Sequence, residues 1–278
     1  MVAEKTWWHK LGGFLAAVLL LISPSLSLAQ ETPVADKKVS FDAGLKVWVA
    51  TWQAPLLFIT ATGDPIVMKT QSVALLGPTL TMGIKTSDSD WFHHVFFNAT
   101  YLTNGSTFDF NYSKTNPGFN PFTSVKADRQ DVNLIVGANI YGGLAAYMGY
   151  FGSFQDIKYK TATTTSTTNR EINAFVLGLS GKEALSDHVD LKGNVGLALG
   201  SYTFIPSGGT ASAPKDLYGW SSEVGINFHS GGGKKFDPYL YLGMRVQEYE
   251  VPTKLSNGQT LRNADITFGP MFQIGAQF

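Results

Sequence analysis

Apolar and polar residues alternate along most of this chain with a period of two, the spacing of extended strands whose successive side chains point to opposite faces. Ten segments carry the pattern: 39–52, 70–84, 91–102, 128–141, 144–157, 171–181, 189–202, 217–229, 236–249 and 262–278. In VDLKGNVGLALGSY, Val189, Leu191, Val195, Leu197 and Leu199 share one face, and Asp190, Lys192 and Asn194 share the other. In QDVNLIVGANIY the faces are Val132, Leu134, Val136, Ala138 and Ile140 against Asp131, Asn133 and Asn139. Segments 144–157 and 171–181 are apolar or small on both faces.

A soluble antiparallel sheet with one face on a core alternates in the same way. Three features favour a membrane wall. The segments run to about a dozen residues, against ~5–6 for an average soluble strand and ~9–11 for a tilted membrane strand. Connections alternate between short (86–90, 142–143, 182–188, 230–235) and longer (103–127, 158–170, 203–216, 250–261), as periplasmic turns and external loops do in membrane barrels. Aromatics also close both ends of an apolar face. Trp91 and Tyr101 stand ten residues apart, as do Tyr218 and Phe228, and a tilt of ~40° reduces that length to ~25 Å of height, the thickness between aromatic girdles. Phe41, Trp91, Tyr101, Tyr218, Trp220, Phe228 and Phe278 are the girdle candidates.

The closing run ITFGPMFQIGAQF places Ile266, Phe268, Pro270, Phe272, Ile274, Ala276 and Phe278 on one face. It resembles the C-terminal targeting strand of Gram-negative outer-membrane β-barrels, which ends in Phe after apolar residues at every second position. Phe278, Ala276, Ile274 and Phe272 occupy the matching positions, with Ala276 where an aromatic often stands. With the alternation, the resemblance implies an all-β fold, a transmembrane antiparallel up-and-down β-barrel; the ten segments predict about ten strands, with eight or twelve as alternatives. It also implies outer-membrane lipid around the wall, both termini in the periplasm, and periplasmic chaperones and the barrel-assembly machinery as partners in biogenesis.

Lys5, His9 and Lys10 precede an apolar run from Leu11 to Ile22, and Pro24 then leads to Ser27-Leu28-Ala29. This predicts a secretory signal over 1–29, a short periplasmic lead over 30–38 and the barrel over 39–278. Twenty-one Lys and Arg balance 21 Asp and Glu, so nothing steers nucleic acid. The chain has no cysteine, which removes disulfides and thiolate metal sites, and no motif calls for a cofactor.

The polar faces assign Asp42, Lys46, Asp131, Asn133, Asp190, Lys192, Asn194, Glu223, Asn227, Arg245 and Asp265 to the lumen. A final loop symmetric about Leu255 would set Arg245 opposite Asp265 as a lumenal salt bridge. Segment 53–69 reads as a projecting hairpin about a type II′ turn at Gly63-Asp64, with a bulge at Ala54-Pro55. Its ladder would set Leu45 opposite Met82 and Lys46 opposite Thr81. Gly77-Pro78 and Gly269-Pro270 predict bulges or bends, because proline removes a ladder donor.

Four histidines follow the signal: His93, His94, His188 and His229, all at or near the short turns. Attack on the outer leaflet or on surface peptides needs the opposite rim, which argues against an enzyme. Ser230 to Lys235, SGGGKK, lacks P-loop spacing and reads as a turn. Phe108, Phe110, Tyr112, Phe119 and Phe122 lie among small polar residues and are candidates for surface recognition; alternatively, the first three continue a strand. About ten strands leave a narrow or closed bore. The expected role is a small porin-like or narrow-channel protein for small solutes. A barrel acting through surface loops is the alternative, and an outer-membrane lipid- or peptide-modifying enzyme comes third.

Overall fold

The computed structural model describes residues 39–59, 65–88, 91–112, 123–206, 208–231, 236–254 and 260–278. The predicted signal and lead, the Gly63-Asp64 turn, Phe119 and Phe122 lie outside them. Twelve strands form one antiparallel sheet: β1 (Val39–Ile59), β2 (Pro65–Thr70), β3 (Val73–Lys85), β4 (His94–Asn104), β5 (Phe108–Tyr112), β6 (Ser124–Tyr141), β7 (Leu144–Lys160), β8 (Thr165–Ser186), β9 (Val189–Ile205), β10 (Lys215–His229), β11 (Asp237–Lys254) and β12 (Thr260–Gln277). Strand β12 returns to pair with β1, from Asp42 opposite Gln277 to Gln53 opposite Ile266. That pairing closes the sheet and removes its edges.

The ring has ten wall positions. Two of them are filled in pieces: β2 pairs with β1 and β5, and β5 pairs in turn with β6, so β2 and β5 continue the wall beyond β3 and β4. Val39 and Gln277 lie at one end, here the near rim, with the junctions from β3 to β4, from β6 to β7 and from β8 to β9; the far rim carries the long hairpins. Gly142 takes φ +50° in the two-residue turn between β6 and β7, a conformation that glycine adopts without steric cost.

Strands of up to 22 residues carry the sheet past the apolar belt, so the longer connections are strand in part, above all at 158–160 and 165–170 and at 250–254 and 260–261. The 53–69 hairpin is strand through Ile59 and again from Pro65, with a register shift between Pro55 and Ile59. The expected β1–β3 register is corrected: Leu45 faces Pro78 and Lys46 faces Gly77. The irregular hairpin slips the ladder by four residues. An even slip preserves which side chains face inward.

Both Gly-Pro pairs interrupt a ladder. Between β3 and β4 pairing lapses from Leu76–Thr103 to Thr79–Thr100, and at the closing seam from Trp48–Met271 to Thr51–Phe268. A Cβ on Gly77 would stand 2.0 Å from the Tyr101 carbonyl oxygen, and one on Gly269 would stand 2.0 Å from that of Val49. Only glycine permits these approaches, and proline leaves no N–H unpaired beside them.

Outside, the wall is apolar. Phe41, Leu80, Trp91, Phe175, Leu199, Tyr218, Met244, Phe272, Ile274 and Phe278 are all exposed, Leu80 at 56% and Ile274 at 57%. A water-facing surface does not sustain so continuous an apolar band. Trp91 meets Tyr141 and Phe236 meets Phe278, at centroid separations of 5.0 and 5.5 Å, on the near side of the belt. Trp220, half-buried, donates from Nε1 to Glu248 at 3.3 Å on the far side. The Phe278 N–H donates to the Phe41 carbonyl at 2.8 Å, so the last residue joins the seam.

Candidate functional site

The bore is divided. Its far half is packed solid around Trp48, Trp52, Leu75, Leu102, Phe108 and Ile157, none more than 2% exposed. Phe108 and Phe110 stand edge-on to Trp52 at 5.5 and 5.1 Å. These two phenylalanines are therefore interior and unavailable for surface recognition. They continue the strand alternation on β5, with Asp109 on the opposite face, in ion pair with Lys126 at 3.5 Å. Tyr112 lies on the same strand, opposite Met68.

Through this apolar packing runs a charged layer. Arg129, 1% exposed, donates from Nε and Nη2 to the two Asp131 oxygens, both at 2.9 Å, from Nη1 to Thr267 at 2.6 Å and from Nη2 to Gln247 at 3.3 Å. Gln247 donates to the Tyr249 hydroxyl at 2.5 Å. Asp265 accepts from Trp52 Nε1 at 2.8 Å and lies 3.9 Å from Arg170 Nη1. Two arginines balance two aspartates, and β1, β6, β8, β11 and β12 all contribute, so the layer spans the bore. Fork-shaped guanidinium bonds fix geometry as well as charge.

The expected Arg245–Asp265 bridge is not formed. The β11–β12 ladder is centred two residues beyond Leu255, so Tyr249 faces Asp265 and Arg245 faces Gly269. Arg245 instead stacks on Trp48, its guanidinium carbon 4.8 Å from the ring centroid. Loop symmetry judged from sequence alone gave the wrong centre.

In the near half the bore opens into two adjoining cavities of about 250 and 400 Å³. Thr81, Phe96, Ser180, Asn194, Glu223 and Gln273 line both. The deeper one includes Lys46, Asn133 and Arg245; the other includes Asp42, Lys192 and Asn227 and reaches Gly143 at the near rim. Lys46 lies 3.1 Å from Glu223. Asp42 accepts from the Tyr239 hydroxyl at 2.6 Å, and Gln273 also donates to that hydroxyl. Asp190 is held by Lys182 at 3.2 Å and by Asn227 at 3.4 Å. All eleven polar residues assigned to the lumen point inward, but they fall at different heights. Asp131 and Asp265 belong to the packed layer, and the rest lie in or below the cavities.

The histidines collect at the near rim. His229 lies 3.4 Å from Asp190 and 3.7 Å from Asp237; the His93 and His94 rings are 6.5 Å apart. Among the described residues no group of three His, Asp or Glu could hold a metal ion. In the same rim Lys85, 2.6 Å from Asp88, holds that carboxyl below its ordinary range through a hydrogen bond and its charge.

Sequence reasoning missed the sealing residues Trp48, Trp52, Arg129 and Arg170. The spacing Arg129-x-Asp131, two charges on one strand face, was the available signal for one of them.

A closed up-and-down barrel with an apolar exterior and a polar, charged bore defines an integral outer-membrane β-barrel. No protein-family model matches the sequence, and no curated protein matches it. Among solved structures, the chain is similar to the outer membrane protease OmpT of Escherichia coli, with a TM-score of 0.49, 9% identity, and 90% of this chain and 99% of that one covered. It is also similar to the translocator domain of the autotransporter NalP of Neisseria meningitidis, with a TM-score of 0.46, 12% identity, and 99% and 97% covered. The toluene transporter TodX of Pseudomonas putida gives a TM-score of 0.31 at 10% identity, with 92% and 93% covered. A barrel wall does not by itself assign a function, which is sought in the bore and rims.

Proposed function

We propose that this protein is a narrow-channel barrel for small solutes, with the near rim facing the periplasm and the bore closed at rest by the Arg129 layer. The observation that carries this reading is the contrast between the two halves of one lumen. The far half is filled by side chains, as the interior of a small barrel can be. The near half, within the same wall, leaves two adjoining polar cavities reaching the rim. A barrel serving only as an anchor has no need of such space.

The test is conductance in planar bilayers with the unmodified chain and with Arg129→Ala. The reading expects rare or small openings from the unmodified chain and frequent, larger unitary currents from the variant. Silence from both would favour a barrel acting through its surfaces, the second reading. The projecting far-side strands, which carry ion pairs between Lys126 and Asp109 and between Lys158 and Asp128 at 3.5 and 3.6 Å, support that alternative.

A further inference from the structure

We propose that the deeper lumenal cavity binds a small organic monoanion, a carboxylate on an aromatic or branched aliphatic body, with Arg245 as its anchor. The inference deepens the solute reading above, and its experiment separates the two.

Charge pairing in the near half leaves two cations with a ring contact and no ion pair, Lys192 and the Arg245 guanidinium, and Arg245 is the one that lines the deeper cavity. Four cations line the two cavities, Lys46, Lys182, Lys192 and Arg245, against two carboxylates, Asp42 and Glu223. Glu223 stands directly across the ladder from Arg245, yet both its oxygens turn to Lys46, at 3.1 and 3.4 Å. Lys182 is matched by Asp190, and Lys192 approaches the Tyr239 ring at 5.6 Å. Among the described residues, the Arg245 guanidinium has no hydrogen-bond acceptor and no ion pair; it lies over the Trp48 face. Arginine keeps its charge and offers five N–H donors. Arg245 is half-buried beside the cavity, so its charge is available to a ligand that enters.

The rest of the lining sets the body of the ligand. Phe96, Ile135, Tyr147, Phe151, Val176 and Ala198 form an apolar side of the cavity. A void of ~150 Å³ with apolar walls already holds benzene, so 250 Å³ accommodates an aromatic carboxylate. A guanidinium fork matches the two carboxylate oxygens, and the apolar side takes the ring.

Calorimetric titration of the refolded chain in neutral maltoside micelles tests the site, with sodium benzoate as probe and benzamide as its uncharged isostere. The expected result is benzoate binding that exceeds benzamide binding by about tenfold to a hundredfold, the range for losing a charge-assisted bond. Arg245→Met should abolish that preference, and Arg245→Lys should retain part of it. Equal affinity for the two probes, no benzoate binding at millimolar concentration, or an undiminished preference in Arg245→Met would overturn the proposal. The contrast between probes needs no variant, so it stands even where a substitution prevents folding. Benzoate binding by a barrel that never conducts would defeat the channel reading alone. Conduction without any benzoate preference would defeat the anion site alone.

Discussion

Replacing Arg129 by alanine removes the centre of the sealing layer and leaves its counter-charges in place. Four hydrogen bonds are lost, to Asp131 twice, Thr267 and Gln247. Asp131, 4% exposed, would then lose its bidentate partner, and Asp265, 5% exposed, would keep Arg170 at 3.9 Å. Removing one partner of a buried ion pair costs about 3–5 kcal/mol, because the remaining charge stays desolvated without compensation. That lowers the folded-to-unfolded ratio by about two to almost four decades. Urea unfolding in lipid vesicles, with heat-modified gel migration as the folded-state readout, measures the loss. A second variant separates charge imbalance from lost packing. Arg129→Met with Asp131→Leu removes a cation and an anion together and keeps apolar volume, so it should recover most of the stability. A single-variant loss below about 1 kcal/mol, or a double variant as unstable as the single one, would refute the reasoning: the layer would then be hydrated, or its contribution would be packing alone.

Leu80→Arg places a charge in the middle of the outward apolar belt and should cost about 2–4 kcal/mol of folding stability in lipid, read by the same unfolding assay; an unchanged midpoint would mean that this face does not meet lipid. Gly269→Ala forces a Cβ to within 2.0 Å of the Val49 carbonyl oxygen at the closing seam. Overpacking of that kind costs about 1–3 kcal/mol and should lower the fraction that migrates as a closed barrel, with Gly77→Ala behaving alike at the β3–β4 junction. Phe278→Ala removes the aromatic end of the seam, including its edge contact with Phe236 at 5.5 Å; pulse-chase of membrane-inserted protein should show slower assembly, and wild-type kinetics would argue against a targeting role for this residue.

Alternation made the wall legible and left the lumen's third dimension unread. A period of two reports which way a side chain points, and that information survives errors of register: the β1–β3 ladder lies four residues from the spacing inferred from its turn, yet Lys46 still faces inward. Height and cross-bore partners depend on where each ladder starts, which the connections decide. A centre two residues beyond Leu255 was enough to exchange Arg245 for Tyr249 as the neighbour of Asp265. The seal was hidden for another reason. In the far half the inner face is apolar too, with Trp48, Trp52, Leu75 and Leu102 inside while Leu76, Tyr101 and Phe268 face out, so polarity no longer separates lumen from lipid. Phe108 and Phe110 joined this interior because β5 extends the wall, as their alternation favoured over a loop.

The divided bore is tested most directly by chemical access to it. The chain has no cysteine, so Asn194→Cys introduces a single thiol into the lining of both cavities. Proteoliposomes are sorted by barrel orientation and treated with a membrane-impermeant maleimide. Labelling from the near-rim side, with little from the far side, is the predicted result. Equal labelling from both sides would contradict the seal, and none from either side would contradict the open near half.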